Sequence, residues 1–206
     1  MFDRIASHTF VFPILLLLSV AVSGCTRFDG SGRSANQSLS TTQSWAADLD
    51  IDALEREIHR RANHERERRR LPATSWQPQL RDIAHGHSRN MARRDTFAHE
   101  VGGQDFEDRY QLAGFSCRVP AGRQRFLSGG ENLFRVHRVA QWVVYSDGRQ
   151  EPQTVRTLAQ LAEAAVQGWM DSPPHRQNLL NPSWRTAAIG VYVDADGWMW
   201  VTQNFC

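Results

Sequence analysis

Apolar residues in this chain change period along its length, and the order of those periods restricts the fold more than any other feature. Helical spacing comes first. Leu54, Ile58 and Ala62 recur one turn apart, behind Asp52-x-x-Glu55, which reads as a capping box. The charged run Glu65 to Arg70 reads as the solvated end of that helix, stopped at Pro72. From Pro78, Leu80, Ile83, Ala84, His87 and Met91 share one face, so His87 points inward as a core histidine and His85 outward to the surface. Gln104 to Ala113 gives a short helix ended by Gly114. Arg138 to Thr154 reads as a hairpin turning at Ser146-Asp147-Gly148. A helix follows from Thr157-x-x-Gln160, striped by Leu158, Leu161, Ala162, Ala165 and Trp169. Ser172-Pro173 starts a further short helix that stops at Asn181-Pro182. The chain closes with period two: Ile189, Val191 and Val193, a turn over 194–197, then Met199, Val201 and Phe205. Helices first, strands last and a hairpin between them predict an α+β domain, an antiparallel sheet with helices packed against it.

Ahead of this lies a different region. The apolar run Phe10 to Val22 has thirteen residues, and a membrane span needs about 20. It fits the core of a secretory signal. Val22-Ser23-Gly24-Cys25 resembles a bacterial lipobox, which places cleavage before Cys25 and a lipid on its sulfur. Residues 26–45 are rich in Ser, Thr, Gly, Gln and Asn and read as a flexible tether. The expected organisation is a signal peptide over 1–24, a lipidated Cys25 and tether over 25–48, and a folded domain over 49–206. Apart from Cys25, the cysteines are Cys117 and Cys206. An even pair in an exported chain reads as a disulfide, worth about 4–5 kcal/mol in the chain-entropy estimate.

Composition excludes several chemistries. All 24 basic residues are arginine. Without lysine there is no Schiff base, no P-loop lysine and no Ser-x-x-Lys nucleophile. A net charge of +2 argues against a nucleic-acid partner.

Ionisable residues gather at three turns: Phe97-Ala98-His99-Glu100, Gly129-Gly130-Glu131-Asn132 and Ser172-Pro-Pro-His175-Arg176. His175 sits third in its helix if Ser172 is the N-cap, where the helix dipole disfavours the imidazolium. A neutral imidazole binds metals or acts as a base. Spacing alone gives no metal motif: there is no His-Glu-x-x-His and no Cys-x-x-Cys.

These turns resemble those of the CAP superfamily, also called the SCP or pathogenesis-related-1 family, in its bacterial branch. The matching residues are Asn63-x-x-Arg66, Trp76, Phe97-Ala98-His99, Gly130-Glu131-Asn132, Trp169 through Leu180, Gly190-Val191-Tyr192-Val193 and Thr202-Gln203-Asn204-Phe205. The resemblance runs in order from about Asp52 to Cys206. It implies a three-layer α-β-α sandwich with a central antiparallel sheet and a cleft holding two His and two Glu. By position the His are His99 and His175, and one Glu is Glu131. Some relatives bind zinc or another divalent ion through the His pair. The second Glu falls here at Ser172, so two-carboxylate chemistry would need Glu100 or Asp171 as a substitute.

Three readings follow. The first is an exported, lipid-anchored, non-enzymatic protein of a bacterial cell membrane or outer membrane, whose cleft binds a divalent ion, a lipid, a cell-wall polymer or another small ligand. The second is a metal-assisted hydrolase of peptide or cell-wall polymer, using His99, His175 and Glu131. The third is a structural scaffold in which Glu131 and His175 only hold loops together. Arg176 is expected to bond helix-end carbonyls, and the 138–154 hairpin to rim the cleft.

Overall fold

The computed structural model describes residues 48–122 and 124–206. The signal peptide, Cys25 and the tether through residue 47 lie outside the described residues. Five helices are described: α1 (Ile51–Glu67), α2 (Pro78–Arg93), α3 (Phe106–Leu112), α4 (Leu158–Asp171) and α5 (Pro173–Leu179). The strands are β1 (Ser75–Trp76), β2 (Val119–Pro120), β3 (Phe126–Leu127), β4 (Gly130–His137), β5 (Val139–Val144), β6 (Gln150–Val155), β7 (Thr186–Val193) and β8 (Trp198–Phe205). The central sheet runs β1-β7-β8-β4. It is antiparallel except at the two-residue β1, which lies parallel to β7 and makes the sheet mixed.

The period-two pattern of β7 assigns its faces. Ala187, Ile189, Val191 and Val193 join α1 and α4 in the main core, around Leu54, Ile58, Leu161 and Trp169. Ala188 faces the other way, onto Leu80 and Ile83 of α2 and Tyr110 of α3. The fold is therefore the expected three-layer sandwich: α1 and α4 on one face, α2 and α3 on the other.

The main local corrections concern the first helix. Its N-cap is Asp50, whose side chain accepts from Ala53 N at 2.9 Å; Asp52-x-x-Glu55 is not a capping box. Glu55 is instead buried, accepting from Val191 N at 2.9 Å and from Arg81 at 2.7 Å. His85, expected on the surface, is half-buried, with Nδ1 3.8 Å from that carboxylate. The helix ends at Glu67, inside the charged run. Within that run Arg66 is buried rather than solvated. It donates to the carbonyls of Pro72, Leu179 and Asn181, tying α1 to the end of α5. Asn63 fastens the following loop by exchanging hydrogen bonds with the backbone of Thr74.

Cys117 and Cys206 form the expected disulfide, closing a loop of 89 residues. The closing hairpin, the α4 capping box and the β5–β6 hairpin also stand where the sequence placed them. That inserted hairpin leaves the sheet at the His137 end of β4, six residues from Glu131, or about 20 Å along the strand. It does not rim the cleft. At the chain's described start, Asp48 pairs with the buried Arg138 at 2.7 Å.

Candidate functional site

The candidate site forms at the edge of the sheet. β4 is an edge strand, and alternation sends Glu131 to the α2/α3 face and Asn132 to the α4/α5 face. The turn before it requires Gly129, at φ +132°, where an added Cβ would lie 2.6 Å from Tyr110. The open edge is covered by side chains. Trp169 donates to Leu133 O at 3.0 Å, and Asn178 donates to Glu131 O at 3.0 Å. Asn132 reaches back to His175 O and to Gln203, both at 3.2 Å. Much of the 169–180 motif thus serves to dock α5 on β4. Arg176 has the expected structural role, donating to Met170 O at the end of α4 at 2.7 Å.

Glu131 sits at the centre, its side chain 1% exposed. His99 Nδ1 lies 2.9 Å from its Oε1. Because a carboxylate only accepts, that contact makes Nδ1 the donor and leaves Nε2 free of that bond. The His99 ring is 54% exposed. The second carboxylate oxygen accepts from Arg109 at 2.6 Å. The same guanidinium donates to the carbonyls of His99 at 3.0 Å and Gln104 at 2.8 Å, so it holds both the carboxylate and the loop that carries His99. Sequence reasoning missed Arg109. One signal was present: it shares the inner stripe of α3 with Phe106 and Tyr110, and an arginine there needs a buried partner.

His175 enters from the other layer. It is half-buried, and its pKa lies below the ordinary histidine value because burial penalises the charge and His99 repels it. The two histidines thus lie within electrostatic range of each other. Ser172 holds the N-cap position of α5 but makes no side-chain capping bond. Asp171, one proposed substitute carboxylate, is exposed and accepts from Gln167 at 2.7 Å; Glu100 is exposed in the His99 loop.

Residues 59–205 match the family described as CAP, the cysteine-rich secretory protein family. The chain belongs to that family. Among solved structures, it is similar to an extracellular protein containing an SCP domain from Bacillus anthracis, with 28% identity, a TM-score of 0.53, and coverage of 75% of this chain and 40% of that one. It also resembles an outer surface protein from Borrelia burgdorferi, with 16% identity, a TM-score of 0.55, and coverage of 76% and 94%. This chain thus spans less than half of the Bacillus protein. Among curated proteins no sequence match is significant.

In this CAP domain the donor set for a metal is lean. Among the described residues, no group of three or more His, Cys, Asp and Glu side chains could hold an ion. Both Glu131 oxygens are engaged. Of the candidate donors, His99 keeps Nε2 free while Glu131 orients its ring from behind.

His87 adds a pH liability beside the site. It is buried as expected, but satisfied on one side only: Nε2 bonds Ala98 O at 3.1 Å, and Nδ1 has no partner. Burial lowers its pKa to about 4. The folded state therefore takes up this proton later than the unfolded chain does. Stability from this group is complete above about pH 6.5 and is lost as pH falls toward 4, by up to about 3 kcal/mol. Urea unfolding at pH 7 and pH 4.5 should show that fall, and His87→Gln should reduce it, leaving the part due to His59, whose pKa burial also lowers to about 4. Equal slopes in the two proteins would assign the acid sensitivity elsewhere.

Proposed function

We propose that this CAP-domain protein is an exported, lipid-anchored binding protein of a bacterial envelope, and that the cleft at the β4 edge binds rather than turns over its ligand. The state of Glu131 carries this reading. It is the one cleft carboxylate retained at the family positions, and it is buried with both oxygens bonded. With its side chain 1% exposed, Glu131 does not reach a proton on a ligand in the cleft and is left to orient His99. Ser172 stands where the second carboxylate would be. What is left facing the cleft is a pair of imidazoles, suited to a divalent ion such as zinc or to a small polar ligand. A bound ion would be held by His99 and His175 and would supply a fixed positive charge at the junction of the two layers.

Zinc titration by calorimetry tests this. The wild type should bind with micromolar affinity, and His99→Ala/His175→Ala should abolish binding with circular dichroism unchanged. No binding by the wild type would sink the metal reading and favour the scaffold. Export and anchoring rest on the signal core, Cys25 and relatives described as extracellular and outer-surface proteins. Mass spectrometry of the mature protein should find a diacylglyceryl-modified Cys25 at its N-terminus; an unmodified cysteine would overturn the anchor.

A further inference from the structure

A groove of about 550 Å³ lies between α2 and α3, beside the core stripe of α2 and sharing Ile83 and His87 with it. Asp82, Gly86, Arg89, Asn90 and Arg93 line it at spacings of three and four. Ile83, Leu112 and Ala113 give it an apolar wall, and Leu112 is 70% exposed there.

Two independent features set this groove apart. The first is Gly86. It lies in the middle of a sixteen-residue helix, where glycine is the worst helix former after proline. A close neighbour commonly explains such a glycine, but a Cβ built on Gly86 meets nothing within 4 Å. Its φ is not in the left-handed region either. The packing of the protein gives no reason for a glycine, which leaves the floor of the groove bare. The second is charge. Among the described residues, neither Arg89 nor Arg93 makes a hydrogen bond or ion pair. They stand one turn apart, where like charges repel. Asp82 does not neutralise them, being 3.5 Å from Arg81. Deeper in the groove, His87 Nδ1 and Arg109 Nε are buried without a partner.

We propose that this groove is a second binding site, for a small amphiphilic anion: a carboxylate held by Arg89 and Arg93, with an apolar body lying over Gly86 against Ile83 and Leu112. Its size suits a small organic ligand, and paired guanidiniums suit a carboxylate. The site does not depend on ligand binding by His99 and His175, although Arg109 touches both regions.

Octanoate is the probe, with acetate and octan-1-ol as the charge-only and tail-only arms. Amide shifts in the exported chain carrying Cys25→Ser report where each binds. Octanoate should perturb Ile83, Gly86 and Leu112 and saturate, with acetate and octan-1-ol at least tenfold weaker. Gly86→Leu should weaken octanoate at least tenfold while Tm stays level or rises, since leucine favours the helix. Arg89→Gln/Arg93→Gln should weaken it similarly, and His99→Ala/His175→Ala should leave it unchanged. No saturable shift at these amides, or octanoate affinity unchanged in either groove variant, would overturn the proposal. So would octan-1-ol binding as tightly as octanoate, which would make the groove a plain apolar surface.

Discussion

Gly190→Ala will cost this protein most of its stability. Gly190 lies in β7 on the face that meets α2, and an added Cβ would lie 2.0 Å from His85 N and 2.3 Å from Ala84 C. Both atoms are backbone, so no side-chain rotation relieves the clash. The whole helix must retreat. That would part Ser88 from Gly190 O and from Thr202, now at 2.8 and 2.9 Å. It would also loosen Leu80 and Ile83 from the sheet. Ordinary overpacking costs about 1–3 kcal/mol. A backbone collision along a packed helix should exceed that, at about 5 kcal/mol or more, close to the whole stability of a marginal domain. The expected result is insoluble protein, or a urea midpoint near zero. Gly86→Ala, at the residue after His85 on the facing helix, should do the opposite and stabilise by about 1 kcal/mol. A Gly190→Ala protein within 1 kcal/mol of wild type would mean that α2 does not sit this close to β7.

Arg109→Ala should be the most damaging change at the site. It would strip a buried carboxylate of its counter-charge and leave the carbonyls of His99 and Gln104 without that donor. Removing one partner of a buried ion pair costs roughly 3–5 kcal/mol, and the two stranded carbonyls place this case at the upper end. Glu131→Gln in the Arg109→Ala background should recover part of the loss. The double variant would then be more stable than the sum of the single changes allows. Denaturant unfolding of the four proteins reads this directly. Additive losses would show that Arg109 and Glu131 act separately.

Much of this fold was legible in the sequence because it rests on local rules. Thr157 and Gln160 cap α4 through their own spacing. The closing hairpin follows from alternation and the Asp194–Gly197 turn. The Cys117–Cys206 bond follows from an even pair of cysteines once the N-terminal apolar run is read as a secretory signal. Where the reading failed, a charged residue looked solvated by its neighbours yet was buried by a distant partner. Glu55 sat where a capping box would place it, but it accepts from Val191 N, 136 residues away. Arg66 lay in a run that looked like a helix end, but it binds a carbonyl 113 residues away.

The cleft divides along the same line. The order of residues settles which groups are present: His99, Glu131 and His175 at three turns, and serine at the fourth position. Residue type and order carry that information. What those groups can do depends on contacts made across the fold. Alternation on an edge strand turns Glu131 toward α3, and α3 brings Arg109 to 2.6 Å from it. A charge in a protein interior is governed by whatever lies within a few ångströms of it, and chain folding, not sequence separation, sets those distances.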